Sequence, residues 1–244
     1  MTRSLLTPLI IAVTIIIAVL IAASAFRYHF TAADTISVTG LAEKDFAADQ
    51  IVWKATFTRQ GAELKDAYAM LKSDEEEIRN YLHGANIADS NIVFSSVEVQ
   101  RNYSNRTDES GRVIGSVFSG YNLTGTVTVD SHNIPVVEKL SREITGLLQK
   151  GIELNSIPPS YYYSGLNALK IDLLANAAKD AKQRAESIAE NSGASLGGIK
   201  KATMGVFQIT GKNMNEDYSY GGAFNTTSKE KTASITLRVE YQVK

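Results

Sequence analysis

The chain has no cysteine, which excludes disulfides, thiolate metal sites, iron–sulfur clusters and cysteine nucleophiles. Histidine is scarce as well: His29, His83 and His132 stand far apart, in no zinc-ligand spacing. Neither sign of charge dominates, with 25 Lys and Arg against 26 Asp and Glu and a net charge of -1, so there is no basic field of the kind that draws nucleic acid. A G-x-S-x-G elbow, a Walker loop, an H-E-x-x-H helix and an EF-hand loop are all absent. These gaps predict a protein that is not an enzyme and that has no cofactor, no metal and no nucleic-acid partner. What is present is apolar: 44% of the 244 residues are hydrophobic and 21% charged, enough to bury a sizeable core.

The longest uncharged run lies between Arg3 and Arg27, spanning Leu5 to Phe26 with only two threonines and a serine as polar residues. A bilayer crossing takes roughly 20 residues, whereas the apolar part of a signal peptide takes about 7–15. Residues 1–27 are therefore expected to form one N-terminal transmembrane helix that anchors the chain. Ala23-Ser24-Ala25 also has the small-x-small form of a signal-peptidase site, and cleavage there would leave a soluble exported protein. With the short tail inside, everything after Arg27 is exported.

Beyond the anchor, Ile36–Gly40 and Ile51–Thr58 read as strands, rich in β-branched and aromatic residues. Leu64, Ala67, Tyr68, Leu71, Ile78, Tyr81 and Leu82 mark a helical stripe stopped by Gly84. Within it, Asp74-Glu75-Glu76-Glu77 is expected to be a solvated face, because four adjacent acids splay around a helix. Strands over 92–100 and 115–129 flank a polar stretch, 102–112, as a long hairpin. Asn133 and Pro135 open a helix that ends at Gly151, and a strand over 152–157 runs into Pro158-Pro159. A long helix over 166–191 has Leu169, Leu173, Ala177, Ala181, Ala185 and Ile188 on its stripe, and Gly193 terminates it. Strands over 199–209 and 233–243 close the chain around the polar segment 211–231, longer than an ordinary loop. The expected class is α+β, with long antiparallel β-hairpins and amphipathic helices packed on the sheet.

Two groups of residues invite a chemical reading. Asp130-Ser131-His132 holds the residue types of a hydrolase triad, but neighbours in sequence point apart, and helix capping accounts for them better. Tyr161, Tyr162 and Tyr163 after the prolines, with Tyr218 and Tyr220 in the long loop, form a candidate interaction surface, since aromatic clusters bind partner chains and headgroups. The same tyrosines also fit strands that simply alternate between core and surface.

Ile36-Ser37-Val38-Thr39-Gly40, Asp49 opening the next strand, the Ala-rich run 175–189, Gly193 and the strand from Ile199, all behind an export segment, resemble the SIMPL-domain family. The resemblance covers residues 34–244 as one α+β domain. It implies a periplasmic or membrane-associated location and supplies no catalytic residues. Some relatives are linked to oxidative-stress tolerance and others to ring- or channel-like oligomers. The combined expectation is a non-catalytic, exported, membrane-anchored cell-envelope protein. It is expected to be single-pass in the inner membrane with its C-terminal domain in the periplasm, and to self-assemble as a homo-oligomeric binding or scaffolding module. A channel-like ring and a carboxylate-based hydrolase are the alternatives.

Overall fold

The computed structural model describes residues 6–31, 35–214 and 221–243. In chain order its elements are α1 (Leu6–Thr31), β1 (Thr35–Ala47), β2 (Gln50–Gly61), α2 (Leu64–Gly84), β3 (Ile92–Phe94), β4 (Glu98–Thr107), β5 (Val113–Ser131), α3 (Ile134–Glu143), β6 (Glu153–Tyr162), α4 (Leu166–Asn191), β7 (Leu196–Met204), β8 (Gln208–Gly211) and β9 (Glu230–Val243). The class is α+β with antiparallel sheets throughout.

The expected transmembrane helix is met in part. The uncharged run lies within α1, which continues past it through Arg27 to Thr31, and residues 11–24 are exposed along their whole length. Among the described residues, however, no helix is long and apolar enough to cross a membrane.

The remaining strands form two sheets. In the first, β9 is central, with β1 along one side and β7 and β8 sharing the other. In the second, the order is β3-β5-β2-β6, and β4 continues along the same side of β5 as β3. The second sheet is inserted into the first: the chain leaves after β1, builds residues 50–162, and returns as α4. Each sheet buries one face under helices. Trp53, Phe57, Leu123 and Val127 pack under Ala67, Leu71, Ile78 and Leu82 of α2 and Val137 and Leu140 of α3. Val38, Ala42, Ile235, Leu237 and Val239 pack under Leu169, Leu173, Ala177, Ala181 and Ala185 of α4.

The alanine stripe of α4 exists for a close approach. A β-carbon on Gly40 of β1 would stand 2.1 Å from the Ala177 carbonyl oxygen and 2.6 Å from the Ala181 nitrogen. Only glycine opposite alanine lets helix and strand backbones meet this closely. Asp180 fastens the contact, its Oδ2 accepting the Leu41 N–H at 2.9 Å.

Several expectations are corrected. Asp74 is not on a solvated face: it is 4% exposed and takes both arms of Arg59, Nε to Oδ2 at 2.5 Å and Nη2 to Oδ1 at 2.7 Å. Glu75 and Glu77 pair with Lys72 and Lys150, each at a nitrogen–oxygen distance below 3 Å. Gly84 lies inside the last turn of α2, and Asn86, with φ 61°, takes the left-handed position beyond it. In α4 the stripe ends on Ala189, 1% exposed, and Ile188 points outward at 46%. The polar stretch 102–112 is strand as far as Thr107. The turn is closed by Asp108, whose Oδ1 accepts the N–H groups of Ser110 and Arg112. The strand expected over 199–209 breaks into β7 and β8. Beyond Glu143 the helix opened by Pro135 tightens into a 3-10 turn over Ile144–Lys150. β6 runs through Pro158 and Pro159 because it is an edge strand, and its ladder with β2 shifts register there.

Two glycines should respond in opposite directions to alanine. Gly40→Ala should lower stability by about 1–3 kcal/mol through overpacking. Gly84→Ala, whose added β-carbon meets nothing within 4 Å, should raise it by about 1 kcal/mol through helix propensity. Denaturant titration of both variants checks the pair. Asp74→Ala should cost about 3–5 kcal/mol by stranding Arg59, and joint replacement of Arg59→Met and Asp74→Leu should cost far less; equal losses would show that the ion pair is not what Asp74 supplies.

Candidate interaction surface

The outer half of the β4–β5 hairpin carries a row of exposed apolar residues, Val99, Tyr103, Val113, Ile114, Val117 and Phe118. From Gly120 inward β5 alternates between buried and half-buried residues, whereas every residue over 113–119 is exposed. Across the ladder Val99 stands opposite Leu123, Arg101 opposite Tyr121 and Tyr103 opposite Phe118. Directly opposed residues share a face, and Leu123 is fully buried. The row Leu123, Tyr121, Phe118 is therefore the core face continued outward into solvent. Tyr103 and Phe118 meet edge to face at 5.9 Å, Phe118 and Tyr121 at 5.1 Å, and the first two remain 58% and 44% exposed. Beside them Leu64, Tyr68, Val97, Val99 and Tyr121 line a groove of about 600 Å³. Glu63 and Lys65 also line the groove and Arg101 stands in the row, so the arrangement offers stacking and apolar burial beside a few charges, which suits a protein contact.

Of the tyrosines singled out from the sequence, the triplet Tyr161, Tyr162 and Tyr163 lies at the opposite end of this sheet. Tyr161 faces the core of the inserted sheet, and its hydroxyl donates to Glu138 Oε1 at 3.0 Å. Burial, together with that carboxylate, pushes its pKa up to about 12. Tyr163 faces the other core and stacks on Phe46 at 4.9 Å. Tyr162, half-buried between them, accepts the Asp49 N–H on its carbonyl at 3.0 Å. The triplet thus spans the joint between the two sheets. Tyr218 and Tyr220 lie outside the described residues.

The triad-like residues have three separate partners. Asp130 accepts from Gln50 Nε2 at 2.7 Å, Ser131 Oγ accepts the Asn133 N–H at 3.0 Å ahead of α3, and His132 Nδ1 lies 2.7 Å from the Asp49 carbonyl oxygen. Among the described residues no group of three or more His, Asp or Glu is placed to hold a metal. Asp49 is the centre of the joint: its carboxylate accepts the Ser164 N–H at 2.8 Å and the Ser164 hydroxyl. Burial favours its neutral form, but the two Ser164 donors and nearby His132 outweigh burial and hold its pKa below the ordinary 3.8.

Tyr103 and Phe118 escaped the sequence reading because they sit at the rim of a stretch whose composition is polar. Two register shifts, at Asn102/Tyr103 and Arg106/Thr107, also break the alternation of β5. The signal that was there is the period-two series Val99, Arg101, Tyr103.

A family model described as SIMPL, protein of unknown function (DUF541), matches residues 36–244. The chain belongs to that family. No curated protein matches it.

Because the folded-state pKa of Asp49 is depressed, its contribution to stability is present above the unfolded value and is lost as pH falls through the folded one. Asp49→Asn should therefore show a shallower loss of stability than the wild type as pH falls below 3.8. Denaturant midpoints measured across that range check this, and parallel curves would remove Asp49 from the acid response.

Proposed function

We propose that this SIMPL-family protein is a non-catalytic, exported cell-envelope protein, anchored as a single pass in the inner membrane with its folded domain in the periplasm. There it self-assembles and acts as a binding or scaffolding module. One observation carries the reading: a hairpin built on a well-packed sheet ends in an exposed aromatic face, Tyr103, Phe118 and Tyr121, with an apolar groove beside it. Continuous apolar patches of this kind on otherwise soluble surfaces mark contacts. The anchor is supported by the uncharged run that α1 carries up to Phe26 and by the exposure of its residues 11–24, which pack in neither core.

Native mass spectrometry of the detergent-extracted full-length protein tests both parts at once. The expected result is a defined oligomer whose subunits keep residues 1–25. Joint Tyr103→Ser and Phe118→Ser replacement should reduce it to monomer with an unchanged denaturation midpoint. A cleaved subunit would overturn the anchor, and an oligomer indifferent to the two replacements would overturn the hairpin as the contact.

A further inference from the structure

Among the described residues the outer edges of β1, β3, β4, β6 and β7 face no neighbouring strand, while β8 is bridged through Ile209 to Phe224; β3 is only three residues long, and β7 is broken by two bulges of its own. An open edge is a template for another chain, and folded proteins blunt it with proline, bulges, charge or a covering segment. β6 is blunted by Pro158 and Pro159, and its Tyr161 N–H is taken by the Thr226 carbonyl at 2.7 Å. β1 has its Leu41 N–H taken by Asp180 and carries the exposed run Glu43, Lys44 and Asp45. Among the described residues β4 has no proline and no captured N–H; what it carries is charge, at Glu98, Arg101 and Arg106. It runs from Glu98 to Thr107 without proline, and both register shifts in its ladder place the extra residue, Ser119 and Ile114, in β5. Its outer edge is therefore regular over its whole length.

We propose that this edge pairs antiparallel with β4 of a second copy, about a two-fold axis at Asn102, and joins two inserted sheets into one. The proposal rests on the self-assembly reading above and specifies its surface and register. A two-fold axis normal to the sheet puts residues of one face opposite each other, so only registers centred on a residue are available. Centring on Arg101 sets that arginine against itself. Centring on Tyr103 sets Glu98 against Asp108. Centring on Asn102 sets Glu98 against Arg106 of the second copy, and the symmetry makes that ion pair twice. The same register sets Arg101 against Tyr103 of the second copy, on the aromatic face. A row then runs Tyr121, Arg101, and Tyr103 and Phe118 of the second copy, with the guanidinium beside tyrosine rings. Like charges directly opposite destabilise a ladder and unlike charges support it, so the charges of β4 favour this register over its two neighbours, and among registers centred on 100–104 it alone sets Glu98 against Arg106.

The test uses the full-length protein in detergent and reads the dimer dissociation constant by sedimentation. Glu98→Arg alone and Arg106→Glu alone should each weaken the dimer by about tenfold, since each creates two like-charge pairs. The combined variant should return to within about threefold of the wild type. Because the chain lacks cysteine, Asn102→Cys should form an intermolecular disulfide with its own copy. Ser104→Cys, displaced from the axis, should not. A wild-type dimer unaffected by either charge reversal, or cross-linked equally at both positions, overturns this register and leaves self-assembly standing. A wild type that stays monomeric at every concentration overturns both.

Discussion

The whole architecture depends on the two places where the chain crosses between its sheets, 47–50 and 162–165. The inserted sheet begins with β2 and ends with β6, which are neighbours in its ladder, so Gln50 lies directly opposite Tyr162. An insertion whose ends are already side by side adds little loop-closure entropy to the domain that receives it. Asp49 at the first crossing then grips Ser164 at the second through the N–H and the hydroxyl. With that joint closed, β1 and α4 arrive together although residues 50–162 separate them in sequence, and Gly40 can settle against Ala177 and Ala181. The tyrosine triplet serves the same joint, Tyr161 reaching one core and Tyr163 the other.

Features set within one element were legible in the sequence. α4 begins and ends where the stripe from Leu166 and the terminator Gly193 place it, with Gly193 at φ 71°. The Pro135 helix start is likewise local and was legible, as was the existence of the hairpin though not the length of its first strand, and Gly151 does end the helical stretch, through the 3-10 turn. Division into two sheets was not legible. Alternation tells which face of a strand is buried but not which strand lies beside it, and β1 pairs with β9 nearly 200 residues later. Asp74 shows the same limit. Adjacent acids read as solvated until Arg59, on a different element, supplies the charge that makes burial tolerable. Ile188 and Ala189 differ by one position, and the tight seat on β1 favours the small side chain.

The candidate surface was hidden for a related reason. Composition over 102–112 is that of a loop, yet hydrogen bonding to β5 makes most of it strand, and only then do Tyr103 and Phe118 stand on one face. Their exposure is informative because the inner half of the same hairpin shows the alternative. Leu123, Val127 and Val129, on the same strand, are fully buried beneath helices. Folding alone asks for polar residues where the cover ends. Instead the apolar row continues outward past the cover.

The other open edges sharpen this contrast. Proline with a captured N–H on β6, and an aspartate-capped N–H with a run of charges on β1, each close an edge to further pairing. Were β4 merely a leftover edge, the same protections would be expected on it, since an unpaired regular strand bordered by aromatics invites indiscriminate association. Its charges do something different from blunting: Glu98 and Arg106 are equally spaced about Asn102 and opposite in sign. Such spacing supports one register and penalises the two beside it, so the edge favours its own copy in a defined alignment.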